Sequence, residues 1–346
     1  MVAIDTLKFK VPAAGVVGWD EDKFGRVNLV KSAGGDWVAS HSTGVLRPGV
    51  NNVTCNPYTG EVVIECSAKC LADNYFAGIS VNTYTQMIDC INATGAVELC
   101  ADSVFSDAVV LRCDAASNVA VANKRETLKA LAYLNTSYEK KVFGRGVIET
   151  VMFTKQVKTS SLKDKQRHYD KFAELTAKTD NNRQFLKTVT DTGALVRAAV
   201  DVIRVESIEA SLAGLRKAYG ASDTKLASIL TSPCKIHGPR FNRIDKSGPQ
   251  LELFDGLLSA ARSYKGLERA HDKFIRHYGM LYVVELCGGE VHLVRQVLDE
   301  LGMQNIRREL SDKYMPLIEA HKLKVSGLDP VKGTCLDEYR AVLGSL

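Results

Sequence analysis

Residues 106–116 read "SDAVVLRCDAA". Alternation there predicts a strand, with Val109, Leu111 and Cys113 on one side and Val110, Arg112 and Asp114 on the other. Spacing by two puts Arg112 and Asp114 on one face. Two further stretches share the pattern of an apolar run carrying one acid. Residues 62–68, "VVIECSA", carry Glu65, and residues 202–208, "VIRVESI", carry Glu206 with Arg204 two places before it. An acid facing a sheet interior is costly unless it is paired or bound to a metal. Two readings stay open: each acid pairs with an arginine or faces water, or the three carboxylates converge. A converged set would be a hard oxygen-donor site for Mg²⁺ or Mn²⁺. Such an ion polarises phosphoryl oxygens.

The chain around these stretches divides into two kinds of pattern. In the first 210 or so residues strand signals dominate. "IDTLKFKVP" (4–12) alternates, with Asp5, Leu7, Phe9 and Val11 on one side. "NNVTCNPYTGEVVIECSA" (51–68) reads as a hairpin around a Pro/Gly turn. "VNTYTQMIDCINATG" (81–95) and "KRETLKALAYLN" (124–135) read as helices, and "GVIETVMFTKQ" (146–156) as a strand. From about Leu212 the periodicity becomes helical, broken by Gly and Pro. Residues 231–249, "TSPCKIHGPRFNRIDKSGP", read as a linker, and residues 290–310, "EVHLVRQVLDELGMQNIRREL", as a helix-turn-helix candidate. The expected class is α+β: a domain over 1–215 built on an antiparallel sheet, then a mainly helical domain over 216–346 that is a candidate for DNA binding.

Composition narrows the field without deciding it. With 45% hydrophobic and 25% charged residues the chain is ordinary globular material. No run of eighteen apolar residues and no signal-peptide pattern occurs, so a cytosolic protein is expected. The nine cysteines lack any C-x-x-C, and Cys66 and Cys70 have no second pair to complete a zinc site, so reduced thiols are expected. G-x-G-x-x-G, P-loop and G-x-S-x-G motifs are absent, which removes support for a small-molecule enzyme. Between Phe153 and Lys187 there are nine Lys or Arg against four Asp or Glu, a balance suited to phosphates or to a solvated loop.

Within that basic segment, residues 167–174 read "RHYDKFAE". A tyrosine oxygen can attack a phosphodiester and hold nucleic acid covalently. A free phenol of pKa about 10 is a weak nucleophile and needs help. Arg167 and Lys171 are candidates for flanking phosphates. His168 points away from Tyr169 on a regular strand and receives no role. A buried structural tyrosine is the competing reading.

The order "VVIECSAKCL", "VLRCDAA", "RHYDKFAEL", "VIRVESIEAS" resembles that of rolling-circle replication initiators, and is similar above all to the initiators of filamentous bacteriophages. "AIDTLKFKVP" also resembles that family's opening strand. More distantly, R-x-D, Y-[ND]-K and R-x-E resemble plasmid initiators of the Rep_trans type. The resemblance spans about residues 1–215. It implies Tyr169 as the nicking nucleophile with Lys171 as the family lysine, Glu65, Asp114 and Glu206 as ligands of Mg²⁺ or Mn²⁺, and Arg112, Arg167 and Arg204 as DNA contacts. Glu174 lies where another polar residue often follows. Partners implied are double-stranded origin DNA, single-stranded DNA, and the host helicase and polymerase, in the host bacterial cytoplasm. Departures are Cys113 in place of a larger aliphatic and the lack of a second acid after Asp114. His-hydrophobic-His is absent, so any metal must rest mainly on carboxylates. Tyr133, Tyr138 and Tyr219 remain alternative tyrosines. The competing function is a non-catalytic DNA-binding replication or transcription regulator, which needs neither metal nor Tyr169.

Overall fold

The computed structural model describes residues 3–31, 37–132, 134, 136–144, 147–155, 164–245 and 303–328. The strands in chain order are β1 (Ala3–Val11), β2 (Val16–Trp19), β3 (Arg26–Lys31), β4 (Trp37–Ser42), β5 (Val50–Asn56) and β6 (Glu61–Ser67). They continue with β7 (Val97–Leu99), β8 (Val109–Ala120), β9 (Glu139–Phe143), β10 (Thr150–Lys155), β11 (Asp164–Asp170) and β12 (Val202–Glu209). Ten of them form one antiparallel sheet in the order β3-β4-β5-β6-β1-β8-β12-β11-β10-β9, while β2 and β7 pair separately. The expected α+β class with an antiparallel sheet is therefore what the chain adopts.

The β5–β6 hairpin shows how local chemistry sets register. Asn56 Oδ1 accepts from the backbone N–H of Tyr58 at 3.0 Å, and Gly60 closes the turn at φ +68°, a conformation that favours glycine. Val53 and Cys55 then face the core opposite Ile64 and Val62.

Two compensating bulges in the β1–β8 pair change what the alternation predicts. Ile4 pairs with Ala115 but Thr6 with Asp114, leaving Asp5 as an extra residue. Lys8 pairs with Arg112 but Phe9 with Val110, leaving Leu111 extra. Leu7, Phe9 and Val11 stay fully buried, but Asp5 leaves their side and meets Arg204 on the opposite face. Likewise Val110, not Leu111, shares the core face with Cys113. The expected grouping of both strands is corrected on that account.

Helices pack on both faces of the sheet, those between β11 and β12 lying on the face that carries Tyr169 and Lys171. α1 (Tyr84–Asn92), α2 (Ala101–Asp107) and α3 (Lys124–Ala132) come between strands, and α4 (Lys171–Thr176), α5 (Asp180–Leu186) and α6 (Thr192–Ala198) follow β11. α7 (Leu212–Tyr219), α8 (Leu226–Thr231) and α9 (His237–Ile244) follow β12, and α10 spans Met303–Leu328. Met87 and Ile91 of α1, Leu215 of α7 and Leu226 of α8 pack with Leu7 and Phe9 in one core. Leu128 of α3, Phe241 of α9 and Ile318 of α10 pack with Val205 and Phe153 in a second. Each fully buried side chain of this size contributes about 1.5–3 kcal/mol. Residues 237–244, expected in a linker, are helical because Phe241 and Ile244 find this core. Helices beyond the expected boundary at 215 thus pack on the same sheet. Most of the helix-turn-helix candidate, and Tyr133, lie outside the described residues. Among the described residues no helix is long and apolar enough to cross a membrane.

Beneath α9 and α10 lies a buried polar seam. His168 Nδ1 meets His321 Nε2 at 3.0 Å, and Ser207 Oγ meets His237 Nδ1 at 2.9 Å, with Gln166 bridging to Ser207 at 3.0 Å. Burial holds His168 well below the usual histidine range, reinforced by His321 and His237. Burial, with Arg240 and Lys324 nearby respectively, lowers His237 and His321 to about 3. Unfolded histidines bind protons near pH 6.5, so stability is lost as pH falls from about 6.5 towards about 3. Asp114, pushed up to about 6 by burial against the pull of Arg112, acts in the opposite sense between about 4 and 6. Three histidines outweigh one carboxyl, so the urea midpoint is expected to be lower at pH 5 than at pH 7. An unchanged midpoint would contradict the burial of these rings.

Candidate active site

The other face of the sheet carries the charged residues singled out in the sequence. β11 and β12 pair so that Arg167 lies opposite Glu206 and Tyr169 opposite Arg204. Residues two apart share a face, so all four side chains gather on one patch. Tyr169 Oη donates to Glu206 Oε1. Arg167 Nε donates to Glu206 Oε2 at 3.1 Å, and its Nη2 makes a second bond to the same oxygen. Arg204 Nε stands 3.5 Å from Glu206 Oε1. Glu206 is 1% exposed and Arg204 2%, so this is a buried ion cluster, where removing one partner strands the others.

Asp5 completes the cluster. Its Oδ1 accepts from Arg204 Nη2 at 2.6 Å, a bond the β1 bulge makes available. Burial works to raise the Asp5 pKa, and Arg204, Lys171 and Arg167 together hold it below the ordinary value. Among the described residues, Arg204 Nη1 has no hydrogen-bond partner. For Tyr169, burial and then Glu206 raise the phenol well above its ordinary pKa, so it rests protonated.

Lys171 begins α4 directly after the strand that carries Tyr169. Asp170 caps that helix by accepting from Ala173 N–H at 3.1 Å, which turns Lys171 inward. The lysine is fully buried. Its Nζ lies 3.4 Å from Tyr169 Oη and 2.7 Å from Glu174 Oε2, and it also donates to Tyr75 Oη. Burial, then Arg204, lower its pKa to about 8, against the pull of Glu174 and Asp5. Glu174 in turn accepts from Lys69 at 3.4 Å.

The acids expected to share a cation are not gathered. Arg112 clamps Asp114 with two bonds of 2.8 and 2.6 Å, and its Nη1 stands 3.7 Å from Glu65. Glu65 sits opposite Lys8, and Lys8 opposite Arg112, four residues along β8 from Ala116, the partner of Glu206. With three strand spacings between β6 and β12, the Glu65 and Glu206 backbones are roughly 20 Å apart. Among the described residues no three His, Cys, Asp or Glu come together as a group able to hold a metal ion. Each candidate ligand is instead engaged by a guanidinium, so the set as arranged does not fit Mg²⁺ or Mn²⁺.

The other tyrosines fall elsewhere. Tyr219 bonds Cys113 Sγ at 2.8 Å in the first core, and Tyr138 is buried in the second. His168 faces the second core too, as expected. Two site residues escaped the sequence reading. Asp5 carried the only available signal, an acid in an alternating strand, while Tyr75 lies in an irregular 3-10 segment with none.

Residues 72–213 match a family model that describes the N-terminal part of a phage replication-associated protein. The match supports a filamentous-phage replication initiator, the family that the quoted motifs resemble. The matched span holds Tyr75, Asp114, Tyr169, Lys171, Arg204 and Glu206, while Asp5 and Glu65 precede it. No curated protein and no solved structure matches the chain.

Two outcomes check this geometry. Asp5→Asn removes the charge that balances buried Arg204 and is expected to cost about 3 kcal/mol in urea unfolding; a neutral effect would place Asp5 outside the cluster. Mn²⁺ titrated into the DNA-free chain is expected to leave the melting temperature unchanged. A saturable rise would mean that the carboxylates open to an ion.

Proposed function

We propose that the chain initiates phage DNA replication as a sequence-specific strand transferase, cutting one strand of origin DNA through Tyr169 and later rejoining it. The observation carrying this reading is the bond from Tyr169 Oη to the buried carboxylate of Glu206, beside the Lys171 ammonium. A nucleophile next to a proton acceptor, with that acceptor oriented by further groups, is the arrangement such chemistry needs. Arg167 and Arg204 are the orienting groups here.

In this reading Tyr169 Oη attacks the phosphorus of one phosphodiester. Its proton passes to Glu206, the new O–P bond forms, and the bond from phosphorus to the 3′ oxygen breaks. The departing oxygen takes a proton from solvent and becomes a free 3′-OH, while the 5′ end stays on Tyr169. The Lys171 ammonium, 3.4 Å from the phenolic oxygen, offsets negative charge as the proton leaves. Arg167 is the entry point for a phosphate: its side chain is 42% exposed and its guanidinium lies 4.7 Å from the Tyr169 ring centroid. Behind it, Arg204 Nη1 is a buried donor that a phosphate oxygen would satisfy.

Rejoining is the reverse exchange, with a 3′-OH attacking the phosphotyrosine. Each step trades one phosphoester for another, so the chain needs no ATP. A host helicase and polymerase would extend the free 3′-OH, in the host bacterial cytoplasm. The divalent ion that the resemblance implies enters no step, because Glu65, Asp114 and Glu206 as arranged do not form its site.

Supercoiled origin DNA incubated with the full chain tests the reading. Wild type is expected to relax it and to retain a covalent 5′ adduct. Tyr169→Phe should lose both, and Glu206→Gln should slow adduct formation by about 10²-fold or more, as loss of a general base does. Adduct formation by Tyr169→Phe would remove this tyrosine from the role. Tight DNA binding with no adduct from wild type would favour a non-catalytic regulator.

A further inference from the structure

Tyr75 touches the centre of the site, yet it received no role in the sequence reading. It lies in the 3-10 segment Ala68–Ala77, which also holds Ala72 at φ +47°, ψ −112°. A non-glycine residue there is strained, and such strain persists where surrounding structure imposes it. Gly78, at φ +66°, ends the segment so close to β1 that an added Cβ would stand 2.5 Å from that of Ala3. The result is a tyrosine 2% exposed, its ring 4.9 Å from that of Phe185 and its hydroxyl on Lys171.

An ammonium has three N–H donors. Those of Lys171 go to Tyr75, Glu174 and Tyr169, so the buried ammonium is fully assigned. Tyr75 also frames the cluster from the other side, with the Arg204 guanidinium 5.4 Å from its ring centroid. The two phenols that share this lysine are not equivalent. Tyr169 has a carboxylate to receive its proton, whereas among the described residues no carboxylate accepts from Tyr75.

We propose that Tyr75 is a positioning residue for strand transfer, fixing the Lys171 ammonium against the Tyr169 oxygen. This rests on the reading of Tyr169 as nucleophile. With the Tyr75 hydroxyl gone, one buried N–H loses its acceptor and the lysine turns towards Glu174. The Tyr169 phenolate then forms without its neighbouring cation.

The experiment compares the full chain with Tyr75→Phe, Lys171→Ala and the double variant in single-turnover adduct formation on origin DNA across pH. Tyr75→Phe keeps the ring on Phe185 and is expected to slow the step about tenfold, the loss of one hydrogen bond to a charged group, with DNA affinity unchanged. The alkaline limb of the profile, set by loss of the Lys171 proton near pH 8, should move to lower pH. In the Lys171→Ala background, Tyr75→Phe should do nothing more. An unmoved limb, or rate losses that multiply in the double variant, would overturn the proposal. If wild type forms no adduct, the nucleophile reading fails by itself, and the pH dependence of Lys171 acetylation by acetic anhydride, read by peptide mass spectrometry, still decides: a curve unmoved by Tyr75→Phe overturns the proposal. Should that variant fail to fold, 4-fluorophenylalanine at position 75, which fills the space of the hydroxyl and is a far poorer acceptor, is read the same way.

Discussion

Burial of the Glu206 carboxylate is the constraint around which this face of the sheet is organised. A lone carboxylate taken out of water would be protonated or would unfold its surroundings. Arg167, Arg204 and the Tyr169 hydroxyl hold it, and Arg204 in turn requires Asp5. These partners come from β11, β12 and β1, so the cluster exists only when β1 has crossed to pair with β8. Charge compensation and sheet assembly are thus one event.

The same economy of charge shapes the chemistry. A phenol buried beside a carboxylate resists ionisation, so Tyr169 rests as the neutral phenol. An arriving phosphate brings negative charge to guanidiniums already shared among acids, and the one most open to solvent is Arg167. In the proposed reading, phosphate and carboxylate would compete for the same arginines. The opposite face carries the neutral histidine seam, where β11 and β12 pack against α9 and α10.

Much of this was legible in the sequence. Period-two spacing is a property of one strand, so R-x-D over Arg112–Asp114 and R-x-E over Arg204–Glu206 each placed the arginine and its acid on one face. The β5–β6 hairpin followed from its turn residues. What failed depends on how strands meet. The bulges at Asp5 and Leu111 exist only in the β1–β8 pairing, so alternation put Asp5 on the wrong side. Grouping Glu65 with Glu206 assumed neighbouring strands, but β1 and β8 lie between them. Tyr75 sits in a segment without periodicity, and residues 237–244 looked like a linker because their apolar partners are far away in sequence.

Peptide mapping of the DNA-linked chain by mass spectrometry tests the central claim most directly. After nuclease and protease digestion, the account places the nucleotide remnant on Tyr169, on the peptide that also carries Asp170. A remnant on Tyr75, Tyr138, Tyr219 or any other residue would contradict it.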